Sequence, residues 1–141
     1  MGWKKEAKFV KKCRKAYHCC EIDRKEQKKR KKFLKNYGFS YSETWNLDTE
    51  ISLYLLPRIA FLREHAHGIP GCLCAIDEQT GEVTNEKDSE KQWNDILKTI
   101  VKGLHYYLDE MVFSEEMTEK KKKVWKQAKT YLAEYYEALW D

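Results

Sequence analysis

A chain of 141 residues is one ordinary domain, long enough to bury a core without disulfides or a metal. No stretch approaches the roughly 18 consecutive apolar residues of a membrane span, and the opening "MGWKKEAKFVKKC" lacks an apolar signal core, so a cytosolic protein is expected. The net charge of +4 hides an asymmetry: residues 1–40 hold 15 Lys or Arg against 4 Asp or Glu, and the remaining residues hold 12 against 19. Such a basic arm beside an acidic body suits a phosphate-bearing partner or an acidic surface, the protein's own included; a merely solvated helix face is the plainer alternative.

From Trp3 to Tyr37 the chain is lysine-rich, with Ala7, Val10, Ala16 and Tyr17 spaced as a narrow helical stripe. The run ends at Gly38, a helix-stopping residue, which marks residues 1–37 as a basic helical arm and 38–141 as a helical core. A second helix is expected after Ser40, which with Glu43 forms a capping box and has Phe39 before it as a staple. Its apolar set is Leu47, Ile51, Leu55, Ile59 and Leu62, and Pro57 within it predicts a kink or the meeting of two helices. After Gly68 and Pro70, "CLCAIDEQTGEVT" reads as a small β-hairpin over residues 72–84, turning through "DEQTG".

A further helix is predicted from Ser89, capped with Gln92 and carrying Trp93, Ile96, Leu97, Ile100, Val101, Leu104, Leu108 and Met111. Gly103 inside it predicts a close helix crossing. The last helix is expected after Ser114 and carries Val124, Trp125, Ala128, Tyr131, Leu132, Tyr135 and Leu139. The expected fold is mainly all-α, an irregular bundle of four to five helices with the hairpin inserted.

Asp48 is the residue that most needs an explanation. At 100° per residue it falls within about 20° of Leu55 and Ile59 and about 40° of Leu62, in the middle of the proposed apolar stripe. A carboxylate there must be paired, protonated or turned to a cavity. One reading is a structural ion pair. The functional one is a polar pocket floored by Asp48, walled by Trp45 and Trp93, and closed by Arg58, Arg63 and His65. Trp45 and Trp93 would stack on a base, the two arginines and His65 would hold phosphate or ribose, and Asp48 would orient them.

Other chemistry is less supported by the residues. His65 and His67, two apart with Asp48 or His105 as a further ligand, match metal-site spacing only loosely, and histidines at a helix C-terminus are common for dipole reasons. Cys72-x-Cys74 and "HCC" at residues 18–20 have the wrong spacing for zinc, and five cysteines (Cys13, Cys19, Cys20, Cys72 and Cys74) are expected as free thiols, with no Cys19–Cys20 bridge. There is no glycine-rich phosphate loop and no nucleophile elbow. No catalytic residue, metal or cofactor is therefore assigned, and a binding protein is expected, as a homo-oligomer. The alternative is nucleic-acid binding through residues 4–35, above all Lys28, Lys29, Arg30, Lys31 and Lys32.

Between Gly38 and about residue 112 the chain shows a Trp-x-Leu-Asp step (Trp45, Leu47, Asp48), a Leu-Pro-Arg step (Pro57, Arg58), a Gly-x-Pro exit (Gly68, Pro70) and a Trp-x-x-Ile-Leu helix (Trp93, Ile96, Leu97). This pattern resembles a family of small, mostly uncharacterised bacteriophage proteins. The resemblance implies a virus-encoded accessory protein in the cytoplasm of a bacterial host, of a kind that often antagonises host defence by sequestering a nucleotide signal or by blocking a host defence protein. It supplies no catalytic residues.

Overall fold

A computed structural model of the chain describes residues 2–17 and 23–140; His18, Cys19 and Cys20 lie outside the described residues. Five α-helices are present among them: α1 (Trp3–Tyr17), α2 (Arg24–Tyr37), α3 (Leu47–His65), α4 (Glu86–Phe113) and α5 (Glu119–Glu134). Short 3-10 helices lie at Tyr41–Thr44, Gly71–Leu73 and Tyr136–Ala138. The all-α expectation holds, and no helix among the described residues is long and apolar enough to cross a membrane.

α4 is the centre of the bundle, packed by α5, α3 and α1, while α1 also packs on α3. Leu97, Ile100, Leu104 and Leu108 of α4 meet Leu53 and Leu56 of α3 with almost no exposed surface. The stripe on α1 is Glu6, Val10 and Cys13, and not the expected Ala7, Val10, Ala16 and Tyr17, because Glu6 finds a hydrogen-bond partner on α4. The basic segment is thus divided: α1 belongs to the core, whereas α2 has no buried residue and touches, among these elements, only the 3-10 helix Tyr41–Thr44. Gly103 lies where α5 crosses closest, with a Cβ there falling 2.3 Å from the Ala128 Cβ.

Several local features differ from the sequence expectation. The hairpin is absent: residues 72–84 form no strand, only a single antiparallel bridge between Ile76 and Val83. Asp77 instead caps a turn by accepting from the Gln79 and Thr80 amides, and the Asn85 side chain takes the Ala75 amide that a ladder would use. With Ile76 and Val83 both exposed, this segment has no apolar face to bury, which is what a strand pair needs for stability. α3 runs unbroken through Pro57, so two helices do not meet there.

The capping signals are also used differently. Ser40 pairs with the Ser42 hydroxyl and leads into the 3-10 helix, while Phe39 packs edge-on against Phe33 of α2. α4 starts at Glu86, and the buried Ser89 donates to the Leu73 and Asn85 carbonyls, pinning the loop to the helix. Ser114, in the left-handed region at φ 57°, closes α4; Thr118 caps α5 by accepting from the Lys121 amide.

The buried face of α3 is Thr49, Ser52, Leu53, Leu56, Ile59 and Ala60. Leu47 and Ile51, two of the expected core positions, are about half exposed at 50% and 48%. This helix carries apolar residues all round, so a helical period can be drawn through either side of it. Asp48 consequently sits on the solvent side of the helix and not in the core.

Candidate functional site

The outward face of α3 forms one wall of a groove of about 620 Å³. Its lining is Tyr54, Leu55, Pro57, Arg58, Ile59, Phe61, Leu62 and His65 from α3, Trp3 from α1, and Leu139 and Trp140 beyond the last 3-10 helix. Tyr54 and Arg58, then Phe61 and His65, stand four residues apart, one above the other on the helix surface. The Arg58 guanidinium lies 3.7 Å from the Tyr54 ring centroid and donates to the Tyr54 carbonyl at 2.9 Å. It makes no ion pair among the described residues, so its charge remains available at the groove's edge.

His65 stacks on Phe61 with centroids 3.9 Å apart, and its Nδ1 faces the Phe61 carbonyl at 2.9 Å. Trp3 meets Phe61 edge-on at 5.2 Å, and the Trp3 amide donates to Glu64, which fixes the start of α1 against α3. Trp140 closes the other end, packed over Gly68: a Cβ on that glycine would come 3.2 Å from the indole. The groove is therefore aromatic and aliphatic along its walls, with one arginine and one histidine as its basic side chains. That balance, in a cavity of this size, is typical of small-molecule sites.

The six residues singled out in the sequence fall in four places. Arg58 and His65 share the groove. Arg63 and Trp93 line a separate recess of about 150 Å³ with His67, Glu90 and Asn94, where Arg63 donates to Asn94 at 2.9 Å. Trp93 is only 4% exposed, and its indole N–H has no acceptor among the described residues. Asp48 accepts a hydrogen bond from the Tyr107 hydroxyl, which together with the Thr49 amide holds its carboxyl below the usual range. Burial, and then Asp48 itself, push the Tyr107 phenol up to about 12. Trp45 is 68% exposed beside α2, with Arg30 over its ring.

Trp3, Tyr54, Phe61 and Trp140 are the groove residues that the sequence reading missed. Tyr54–Arg58 was findable as an aromatic–cation pair and Phe61–His65 as a pair of rings, both at i,i+4. Trp3 and Trp140 carry no local signal, since they meet only through the folding of the two ends of the chain. His65 and His67 do not converge, His67 facing the His65 carbonyl at 2.6 Å, and among the described residues no three His, Cys, Asp or Glu side chains could hold a metal ion together. Comparison with protein-family models, with curated proteins and with solved structures gives no significant match.

Proposed function

We propose that the protein is a non-enzymatic binding protein that retains an anionic, nucleotide-type ligand in the α3 groove. The observation that carries this reading is Arg58, an unpaired guanidinium already stacked on Tyr54, standing at the edge of a groove walled by Trp3, Phe61 and Trp140. A base between aromatic walls gains about 1–3 kcal/mol from stacking, and a phosphate on the guanidinium gains a charge-assisted hydrogen bond worth about 1.5–3 kcal/mol. Neither interaction needs a general base or a nucleophile, which makes retention the natural outcome and turnover an unsupported one. With the resemblance to small phage proteins, the biological reading is an accessory protein that withholds a signalling nucleotide from host defence, working in the bacterial cytoplasm. The exposed Leu47 and Ile51 would support self-association.

Calorimetric titration with nucleoside monophosphates, diphosphates and cyclic dinucleotides tests this. Arg58→Ala should weaken binding by about 10- to 150-fold, the loss of one charge-assisted contact. Because Arg58 is exposed, the thermal melt should be unchanged. No heat from any of these probes, or equal affinity in the variant, would remove the groove as the site.

A further inference from the structure

The α3 groove leaves unused the most highly charged element of the molecule. Eight of the 14 residues of α2 are Lys or Arg, against one acid, Glu26. Projected at 100° per residue, Arg24, Lys25, Lys28, Lys29, Lys31, Lys32 and Lys35 occupy one arc of about 160° with no carboxylate in it. All seven are exposed. Lys25 and Lys29, Lys28 and Lys32, and Lys31 and Lys35 are like-charge pairs at i,i+4, an arrangement that disfavours a helix in isolation. α2 contributes nothing buried to the core in return, so a polyanion is the partner that its charge complements.

The other side of the helix defines what kind. Phe33 begins a run of rings: Tyr37 at 4.6 Å, Phe39 at 5.4 Å and Tyr41 at 5.3 Å from it, with Trp45 6.3 Å beyond Tyr41. Tyr37 is 64% exposed, Phe39 43% and Trp45 68%, and they gather around Phe33, which follows Lys29 at the edge of the lysine arc. Arg30, held by Glu26 at 3.2 Å, lies 5.3 Å from the Trp45 ring and ties the rings to the helix.

We infer that α2 and the Tyr41–Thr44 turn form a platform for single-stranded nucleic acid, with the lysines on the phosphates and Trp45, Tyr37 and Phe39 stacking on unpaired bases. Open rings beside a basic track are what sequence-tolerant single-strand binding requires. A duplex keeps its bases stacked internally and would leave these rings without a partner. A membrane surface is a poorer match, because an interfacial helix inserts a continuous apolar side opposite its lysines, and on α2 that side is interrupted by the Glu26–Arg30 ion pair.

The test is fluorescence anisotropy with a labelled 12-nucleotide oligo-dT, the matching duplex, and vesicles containing anionic lipid, using the full chain. Four or so neutralised phosphates predict a log–log salt slope near −3, so affinity should fall by about 60-fold from 50 to 200 mM salt. Trp45→Ala should weaken the single strand by about 5- to 150-fold, and the duplex should be less affected by this change. A Lys28→Gln, Lys32→Gln double variant should reduce the salt slope by about 1.4. Both variants should keep the far-ultraviolet circular dichroism of the parent and leave nucleotide binding in the α3 groove untouched, which separates this inference from the proposed function. No binding at 50 mM salt, equal affinity for strand and duplex with no effect of Trp45→Ala, or preference for the vesicles would each overturn it.

Discussion

Glu6 has no exposed surface, which for a carboxylate demands a partner. The partner is His105, whose Nδ1 stands 2.7 Å from Glu6 Oε2 and whose Nε2 faces Asp109 at 3.4 Å, while Phe9 covers the imidazole at a 3.8 Å stacking distance. The second Glu6 oxygen has no hydrogen-bond partner among the described residues. Beside them the Cys13 thiol is pushed up to about 11, by burial first and then by Asp109. Removing one partner of a buried hydrogen bond costs more than the bond itself contributes, because a desolvated polar group is left behind. His105→Ala should therefore destabilise the protein by about 1–3 kcal/mol, measured by urea unfolding, and Glu6→Leu in the same chain should recover a large part of that loss. If the double variant is no more stable than His105→Ala, Glu6 is satisfied by something other than His105. None of this was legible in the sequence, where Glu6 is one acid in a lysine-rich run and nothing local announces a histidine 99 positions later.

At the scale of elements, legibility follows how one-sided each helix is. α4 has a single apolar stripe, and Trp93, Ile96, Leu97, Ile100, Val101, Leu104 and Leu108 are all buried as their spacing predicts, with only Met111 turned out. α3 is apolar on two sides, so its period does not choose a face: of the stripe that contains Asp48, Ile59 is buried while Leu47 and Ile51 are half exposed. The hairpin failed for a related reason: Asp77 and Asn85 satisfy the local backbone with side chains, which period-2 patterning does not register. The α4–α5 crossing gives the prediction at this scale. Gly103→Ala improves helix propensity by about 1 kcal/mol, yet its new methyl would lie 2.3 Å from the Ala128 Cβ with Trp125 immediately behind. Overpacking of this kind typically costs about 1–3 kcal/mol, so a lower melting temperature is expected, partly restored by adding Ala128→Gly. A Gly103→Ala variant that melts higher would mean the two helices separate easily.

For the molecule as a whole, the charge asymmetry of the chain becomes a spatial one: α2, with eight of the basic residues, stands outside the bundle, and the α3 groove opens on a different set of elements. The candidate ligand site was legible only in part. Arg58 and His65 were recognisable as polar residues on a helix, but the groove is completed by Trp3 and Trp140, which the fold brings to α3 from the two ends of the chain. Contacts of that range depend on how α1 and the final 3-10 turn dock, and no local spacing encodes it. The central claim, that this groove retains an anionic nucleotide-type ligand, is tested most directly by native mass spectrometry of protein purified from phage-infected bacteria, followed by denaturation and mass analysis of what is released. The account predicts a discrete assembly whose mass exceeds that of its chains by a stoichiometric phosphate-bearing, ultraviolet-absorbing small molecule, absent from the Arg58→Ala protein. Chains of bare sequence mass, from wild type and variant alike, would contradict it.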